Sequence, residues 1–581
     1  MSNQNRNLLV AVTLWLALMF GLNLLFPNLM GVKHAPAQHK PEPVVQQPAP
    51  APVAAPTAQA ATPSPRAADV PRGTTAPRPP PKTVIFETPR ARVVATSEGA
   101  AVKSVLLLGD KWTRHKGNKD ESQVDLVLAH AGEPLPLSTV VRGVDGAELV
   151  PADTAYDVLE QDATHATFRA EQGGVTITKT LSVSPRTYGI TLAVQVAAAQ
   201  DMKGTLAVVS GGHAEEPKGG LFASRTNTPA RTICVHGKDK VERVAIGAKT
   251  PVFEAPAAEF SGIDEQYFLT AVMPPEGAAA TCRLEAKGEK VGSLLSSLSV
   301  PLAVSKGAPA ALTFKGYAGP KDDVELAAVA APLKHSIDWG FWSVIAEVLL
   351  GVMKFFQRIV PGHNWGVSII LLTLFVKLLT FPLQHKSMKS MQEMQRLQPA
   401  LEEMKKKYAG DTQRQNLEQM KLFKEHGVNP MGSCLPMLIQ MPIWFALYTT
   451  LQVSVELYNA PFIHGWLDDL TAADPYYVLP VAMGITMILT QVLTPTPMSN
   501  PSQKTMGYVM SGFFSLLMLT LPSGLTLYIF TNNVLSIGQQ MYLRRQLHPP
   551  KASGQTIEVE KKNDDRSGGS GGAAERAKIR A

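Results

Sequence analysis

Lys377 sits where a charge is expensive. It lies inside Gly366–Phe381 (GVSIILLTLFVKLLTF), a stretch that is otherwise almost entirely apolar. A helix rising about 1.5 Å per residue carries such a stretch across most of a hydrocarbon core of about 30 Å. A lysine at the centre of a spanning helix costs about 2.5–3.5 kcal/mol on insertion scales. Two readings stand. Lys377 lies shortly before Pro382, so its stem can reach an interface and leave the ammonium in water. Alternatively, it is a functional charge in a wet cavity. Polar residues in the other apolar runs favour the second reading: Thr373 one turn earlier, Gln440, and Thr531, Asn532 and Asn533. Singly, each makes an interhelical hydrogen bond. Together with a lysine and no acid in any apolar run, they describe a cavity suited to an acidic peptide segment rather than a small cation.

The elements that position these residues follow from the rest of the chain. Leu8–Phe26, behind Arg6, reads as an N-terminal transmembrane anchor over 1–27 with its N-terminus in the cytoplasm. A cleaved signal peptide is the rival, since Ala35-Pro36-Ala37 resembles a cleavage tripeptide, but Pro27, Lys33 and His34 separate it from the apolar run. Residues 28–82 are rich in Pro and Ala and form a semi-rigid spacer. From 83 to 330, short β-branched runs recur between Gly, Asp, Asn and Pro clusters, among them Val84–Glu87, Val102–Leu108, Val175–Val183 and Leu312–Tyr317. That texture predicts a large antiparallel sandwich. This region carries no nucleophile motif, phosphate loop or metal spacing, and His236–Lys240 (HGKDK) reads as a charged turn. The three cysteines, Cys234, Cys282 and Cys434, make no CxxC pair, so a zinc site is not expected. Cys234 and Cys282 share the β region and can pair if it is exported, which their spacing alone does not decide.

Residues 336–361 form a broad apolar stripe that includes Trp339, Trp342, Ile345, Val348, Leu349, Val352, Phe355 and Phe356, interrupted by charges. The pattern predicts an amphipathic helix in the membrane interface. The second span follows at 363–383. A cytoplasmic helical hairpin is expected over 384–430, turning at Gly410-Asp411. One arm carries the stripe Met388, Met391, Met394, Leu397, Leu401, Met404 and Tyr408, and the other carries Leu417, Met420 and Phe423. Four further spans occupy 435–543, the last two joined by a tight turn at Pro522-Ser523-Gly524. The formal net charge is +7, but its placement says more than its size. The hairpin, with Lys405, Lys406 and Lys407, and the tail 544–581, opening with Arg544 and Arg545, are basic, whereas Glu456–Asp474 has acids and no Lys or Arg. Positive-inside counting therefore predicts six spans, both termini cytoplasmic and the β domain outside.

Four stretches carry a resemblance: NWGVSIILLTLFVK (Asn364–Lys377), VNPMGSCLPMLIQMPIWFALY (Val428–Tyr448), DPYYVLPVAMGITM (Asp474–Met487) and LPSGLTLYIFTNN (Leu521–Asn533). Through them the chain resembles the YidC/Oxa/Alb family of membrane-protein insertases, over most of 336–545. The β domain resembles the periplasmic supersandwich of the Gram-negative members in position and size. The resemblance implies a polytopic α-helical protein of the bacterial inner membrane, with six transmembrane helices, five of them an insertase core, and a periplasmic all-β domain. It implies a hydrophilic groove open to the cytoplasm and the lipid, with Lys377 where the family usually has Arg, together with Thr373, Gln440, Asn532 and Asn533. Tyr528 and Ile529 fall on the slide along which substrates leave; many members have a second Tyr where this chain has Ile529. The hairpin lysines and the basic tail resemble regions that meet the ribosome, the signal-recognition-particle receptor and the Sec translocon. Nascent membrane proteins and lipids are the other implied partners, with no cofactor, metal, nucleic-acid specificity or enzymatic step. One rival is a secondary transporter for an anionic solute, which would bring repeated halves that the sequence lacks. Another is an envelope protein acting through its β domain, which leaves Lys377 unexplained.

Overall fold

The computed structural model describes residues 80–114, 121–216, 228–427, 430–493 and 501–547. The expected N-terminal anchor, nearly all of the expected spacer and the tail beyond residue 547 lie outside these residues.

Strands β1 (Thr83–Glu87), β2 (Ala91–Thr96) and β3 (Ala101–Leu107) form a three-stranded antiparallel sheet. A short ribbon pairs β4 (Thr113–Arg114) with β5 (Ser122–Gln123). Then come β6 (Ser138–Gly143), β7 (Glu148–Val150), β8 (Asp157–Gln161), β9 (His165–Gln172), β10 (Val175–Val183), β11 (Gly189–Ala198) and β12 (Met202–Glu215). The set closes with β13 (Arg231–His236), β14 (Lys240–Val244), β15 (Val252–Pro256), β16 (Ala258–Asp264), β17 (Phe268–Met273), β18 (Thr281–Lys287), β19 (Val291–Val304) and β20 (Ala310–Pro320). A nine-stranded sheet, β14-β13-β16-β17-β20-β11-β10-β9-β8, faces a six-stranded sheet, β15-β18-β19-β12-β6-β7. Alternation decides which side is inside. In β10, Val175, Ile177, Leu181 and Val183 point into the core with Phe168, Phe260 and Phe314. Lys179 shares that inward face and gives its ammonium to the carbonyls of Gly99 and Leu137, both at 2.8 Å. Cys234 on β13 and Cys282 on β18 form a disulfide, stapling one sheet to the other. The His236–Lys240 segment is indeed a turn, joining β13 to β14 through left-handed Gly237, Lys238 and Asp239.

The helical part begins with α1 (Asp323–Val329) and α2 (Ser343–Ile359), followed by α3 (Trp365–Arg396), α4 (Gln398–Lys407), α5 (Thr412–Glu425) and α6 (Pro430–Val453). It ends with α7 (Val478–Leu493), α8 (Pro501–Leu517) and α9 (Ser523–Leu547). Among the described residues, Trp365–Met391 is the one helical stretch both long and apolar enough to cross a membrane; Val478–Leu493 and Gly507–Leu517 are apolar and shorter. Large apolar side chains stay exposed along these helices, including Leu378 and Leu379 on α3, Ile485 on α7 and Leu516 on α8.

Three details differ from the sequence reading. The helix does not end near Pro382 but runs on to Arg396. The proline forfeits one backbone bond, and the good helix formers after it carry the helix forward. The hairpin arms are therefore α4 and α5. Leu401 of α4 and Phe423 of α5 pack together with Met394 from the end of α3, whereas Leu417 and Met420 are exposed. In α2 the buried face is Ala346, Leu349, Leu350 and Met353, while Val348 and Phe355 of the expected stripe face outward. One side of α2 lies against α3 and α6, so only that side is covered.

Polar contacts fasten the β domain to the helices, and two sets of them lie near α2 and α6. Asp264, fully buried, accepts from Lys321 at 2.8 Å and from Arg231 and Arg243 at 3.0 Å. Arg243 also donates to the carbonyl of Ser336, in the segment leading to α2. In the second set, beyond the end of α6, the Asn459 amide donates to the carbonyls of Lys111 and Thr113, at 2.8 and 2.6 Å. Tyr458 stacks on Trp112 beside it.

Candidate functional site

Parts of the family-like motifs pack the end of the bundle away from the hairpin. Asn364 caps α3, accepting from Val367 N at 3.1 Å and donating to Phe462 O at 2.9 Å. Gly366 is required by close approach, since a Cβ there would lie 2.1 Å from the Phe462 ring. Asp474 is buried and accepts from Trp466 Nε1, Tyr476 N and Leu479 N, which fixes the start of α7. Ser523 N and Gly524 N bond to Ala472 O and Leu470 O, seating α9 against the same loop. Ile369, Leu372, Ala446, Leu447, Leu451, Leu521 and Leu525 then fill the space between these helices.

Below this apolar plug the bundle opens. Lys377, Gln384, Ser387, Met388 and Met391 on α3, Gln440 on α6, and Asn532, Ser536, Gln539 and Gln540 on α9 line a cavity of about 300 Å³. It lies at the hairpin end of the bundle. Lys377 Nζ donates to Ser536 Oγ at 2.8 Å, and Ser536 Oγ donates to Asn532 O at 2.7 Å. Among the described residues no carboxylate lies within ion-pairing distance of Lys377, and none lines the cavity. At the boundary with the plug, Gln440 Nε2 donates to the buried Tyr528 hydroxyl at 3.2 Å. The result is an amide-lined chamber holding one ammonium, capped on one side by packed apolar side chains.

Of the expected groove residues, Lys377, Gln440 and Asn532 line this cavity together. Thr373 does not. It is buried in the plug, with its hydroxyl bonded to Ile369 O at 2.7 Å. Asn533 is also off the lining, and its Nδ2 is buried without a hydrogen-bond partner among the described residues. Tyr528 is buried and Ile529 half-buried, both packed with the plug. Lys405, Lys406 and Lys407 form the last turn of α4, and Arg544 and Arg545 fall in the last turns of α9. Sequence reasoning missed Ser536, Gln539 and Gln540, although Asn532, Ser536, Gln539 and Gln540 follow helical spacing along one face of an apolar helix. It also missed Gln384, Ser387, Met388 and Met391, having ended the span near Pro382.

A two-sheet β domain is joined to an apolar helical bundle, and the two regions match a periplasmic domain and an inner-membrane protein respectively. Two family models match, "60Kd inner membrane protein" over residues 355–551 and "YidC periplasmic domain" over residues 83–352. A membrane protein insertase YidC of Anaeromyxobacter sp. (strain Fw109-5) is 42% identical over 474 residues, 79% of this chain and 84% of the relative. One of Oleidesulfovibrio alaskensis (strain G20) is 33% identical over 560 residues, 94% of this chain and 100% of the relative. A crystal structure of an active YidC insertase with its first transmembrane domain resolved is 19% identical, with a TM-score of 0.34, over 79% of this chain and 92% of that one. On its sequence relatives, the chain belongs to the YidC family of membrane-protein insertases, which places it among insertases rather than enzymes.

Proposed function

We propose that this protein inserts nascent proteins into the bacterial inner membrane, and that the Lys377 cavity receives the segment that must cross. The observation that carries the reading is an ammonium with no counter-carboxylate among the described residues, in a polar chamber closed on one side by apolar packing. A short acidic tail pairs with Lys377 on entry. The membrane potential, worth about 2.3 kcal/mol per charge per 100 mV, then draws the anion outward. The hydrophobic segment leaves sideways along α3 and α9, past the half-buried Ile529, with Tyr528 and Thr373 inside the packed wall. Burial of its apolar side chains in lipid supplies the driving force. No bond is broken.

In this reading the chain has six spans with both termini in the cytoplasm, the first being Leu8–Phe26. α3, α6, α7, α8 and α9 form the insertase core, and α2 lies in the interface. The β domain stands in the periplasm, where an oxidising environment suits the Cys234–Cys282 disulfide. The α4–α5 hairpin, with Lys405–Lys407, and the basic tail with Arg544 and Arg545 meet the ribosome and the signal-recognition-particle receptor. The protein works alone or beside the Sec translocon, in contact with lipid.

The test is complementation. In cells depleted of their own insertase, expression of this chain restores insertion of a short membrane protein, read as protease accessibility of its periplasmic tail. No restoration at matched abundance contradicts the reading.

A further inference from the structure

Lys377 can point into the cavity or stretch to the interface, and the side chain that decides between these is on another helix. Ser536 Oγ accepts from Lys377 Nζ at 2.8 Å, and its single proton is committed to Asn532 O at 2.7 Å. Toward the lysine, therefore, Ser536 presents only lone pairs. A lysine ammonium has three donors. Ser536 takes one and is its hydrogen-bond partner among the described residues, which leaves donors for an incoming carboxylate. The rest of the polar lining supplies amides and a hydroxyl, so nothing described there cancels the charge.

We propose that Ser536 is a positioning residue. It holds the Lys377 ammonium inside the cavity as a tethered but un-neutralised charge, and so sets the preference for segments with anionic tails. A methyl at this place leaves the ammonium without its acceptor, free to snorkel to water. A carboxylate there forms a standing ion pair that competes with the substrate. The inference rests on the insertase reading, and its test is built to separate the two.

The full chain is expressed in insertase-depleted cells at matched membrane abundance, with two substrates identical except for an acidic or a neutral translocated tail. The readout is the ratio of their insertion. Ser536→Asp is expected to lower the acidic-to-neutral ratio about tenfold, and Ser536→Ala two- to fivefold. Ser536→Thr, which keeps the hydroxyl, is expected to restore it. A ratio unmoved by Ser536→Asp overturns the proposal. So does an equal loss on both tails, the mark of a merely structural role. If the wild-type chain inserts neither substrate, the insertase reading falls and the proposal falls with it.

Discussion

Lys354 on α2 and Glu456, just beyond α6, form an ion pair at 2.5 Å with the carboxylate almost wholly buried. The backbone carbonyl of Glu456 meanwhile accepts from Lys111 of the β domain at 3.2 Å. One residue thus links α2, the bundle and the β domain. Lys354→Met leaves the carboxylate buried without a counter-charge, and breaking such a pair from one side costs on the order of 3 kcal/mol. Glu456→Gln keeps an acceptor and an uncharged group, so its loss is smaller. Thermal unfolding of the purified full chain in detergent checks the order; two variants that both match the wild type contradict it.

The Asp264 cluster makes a pH-dependent prediction. Burial alone pushes this carboxyl up, but Lys321, Arg231 and Arg243 outweigh burial and hold it well below the ordinary carboxylate range. A carboxylate with a depressed folded-state pKa contributes stability that is whole above its unfolded value of about 3.9 and is lost as pH falls below it. Asp264→Asn removes that contribution and strands three cations together, at a cost of about 3–5 kcal/mol near neutral pH. The variant's stability should also change less between pH 5 and 3 than that of the wild type. An unchanged acid limb in denaturant titrations would count against this assignment.

Reduction offers a third check. The Cys234–Cys282 bond closes a 48-residue separation and joins opposite sheets. In the chain-entropy model a loop of that length is worth about 4 kcal/mol. Cys234→Ala with Cys282→Ala, or reductant on the wild type, should lower the unfolding midpoint of the β domain by the same amount. Different effects from the two treatments would mean that the thiols, and not the lost link, matter.

The sequence announced the site through Lys377 because a charge in an apolar run is a local contradiction, visible without any fold. Strands such as β10 were equally legible, since alternation is local. β19 was not, because its serines face partners whose register depends on distant chain. Pro382 misled because a proline's local cost does not reveal the tertiary packing that carries a helix past it. Its misreading hid Gln384, Ser387, Met388 and Met391, four of the ten residues that line the cavity. Lys179 was hidden for a related reason. Its inward position shows in the alternation of β10, but its two carbonyl acceptors come from loops far away in sequence.

The central claim is that the cavity works through the charge of Lys377. It is tested most directly by insertion of acidic-tailed substrates in depleted cells carrying Lys377→Arg, Lys377→Ala or Lys377→Glu at equal membrane abundance. The account predicts that Arg sustains insertion, whereas Ala lowers it about tenfold and Glu lowers it further, each step of ten being about 1.4 kcal/mol. Equal insertion by all three would contradict it and make Lys377 a lysine that merely reaches for the interface.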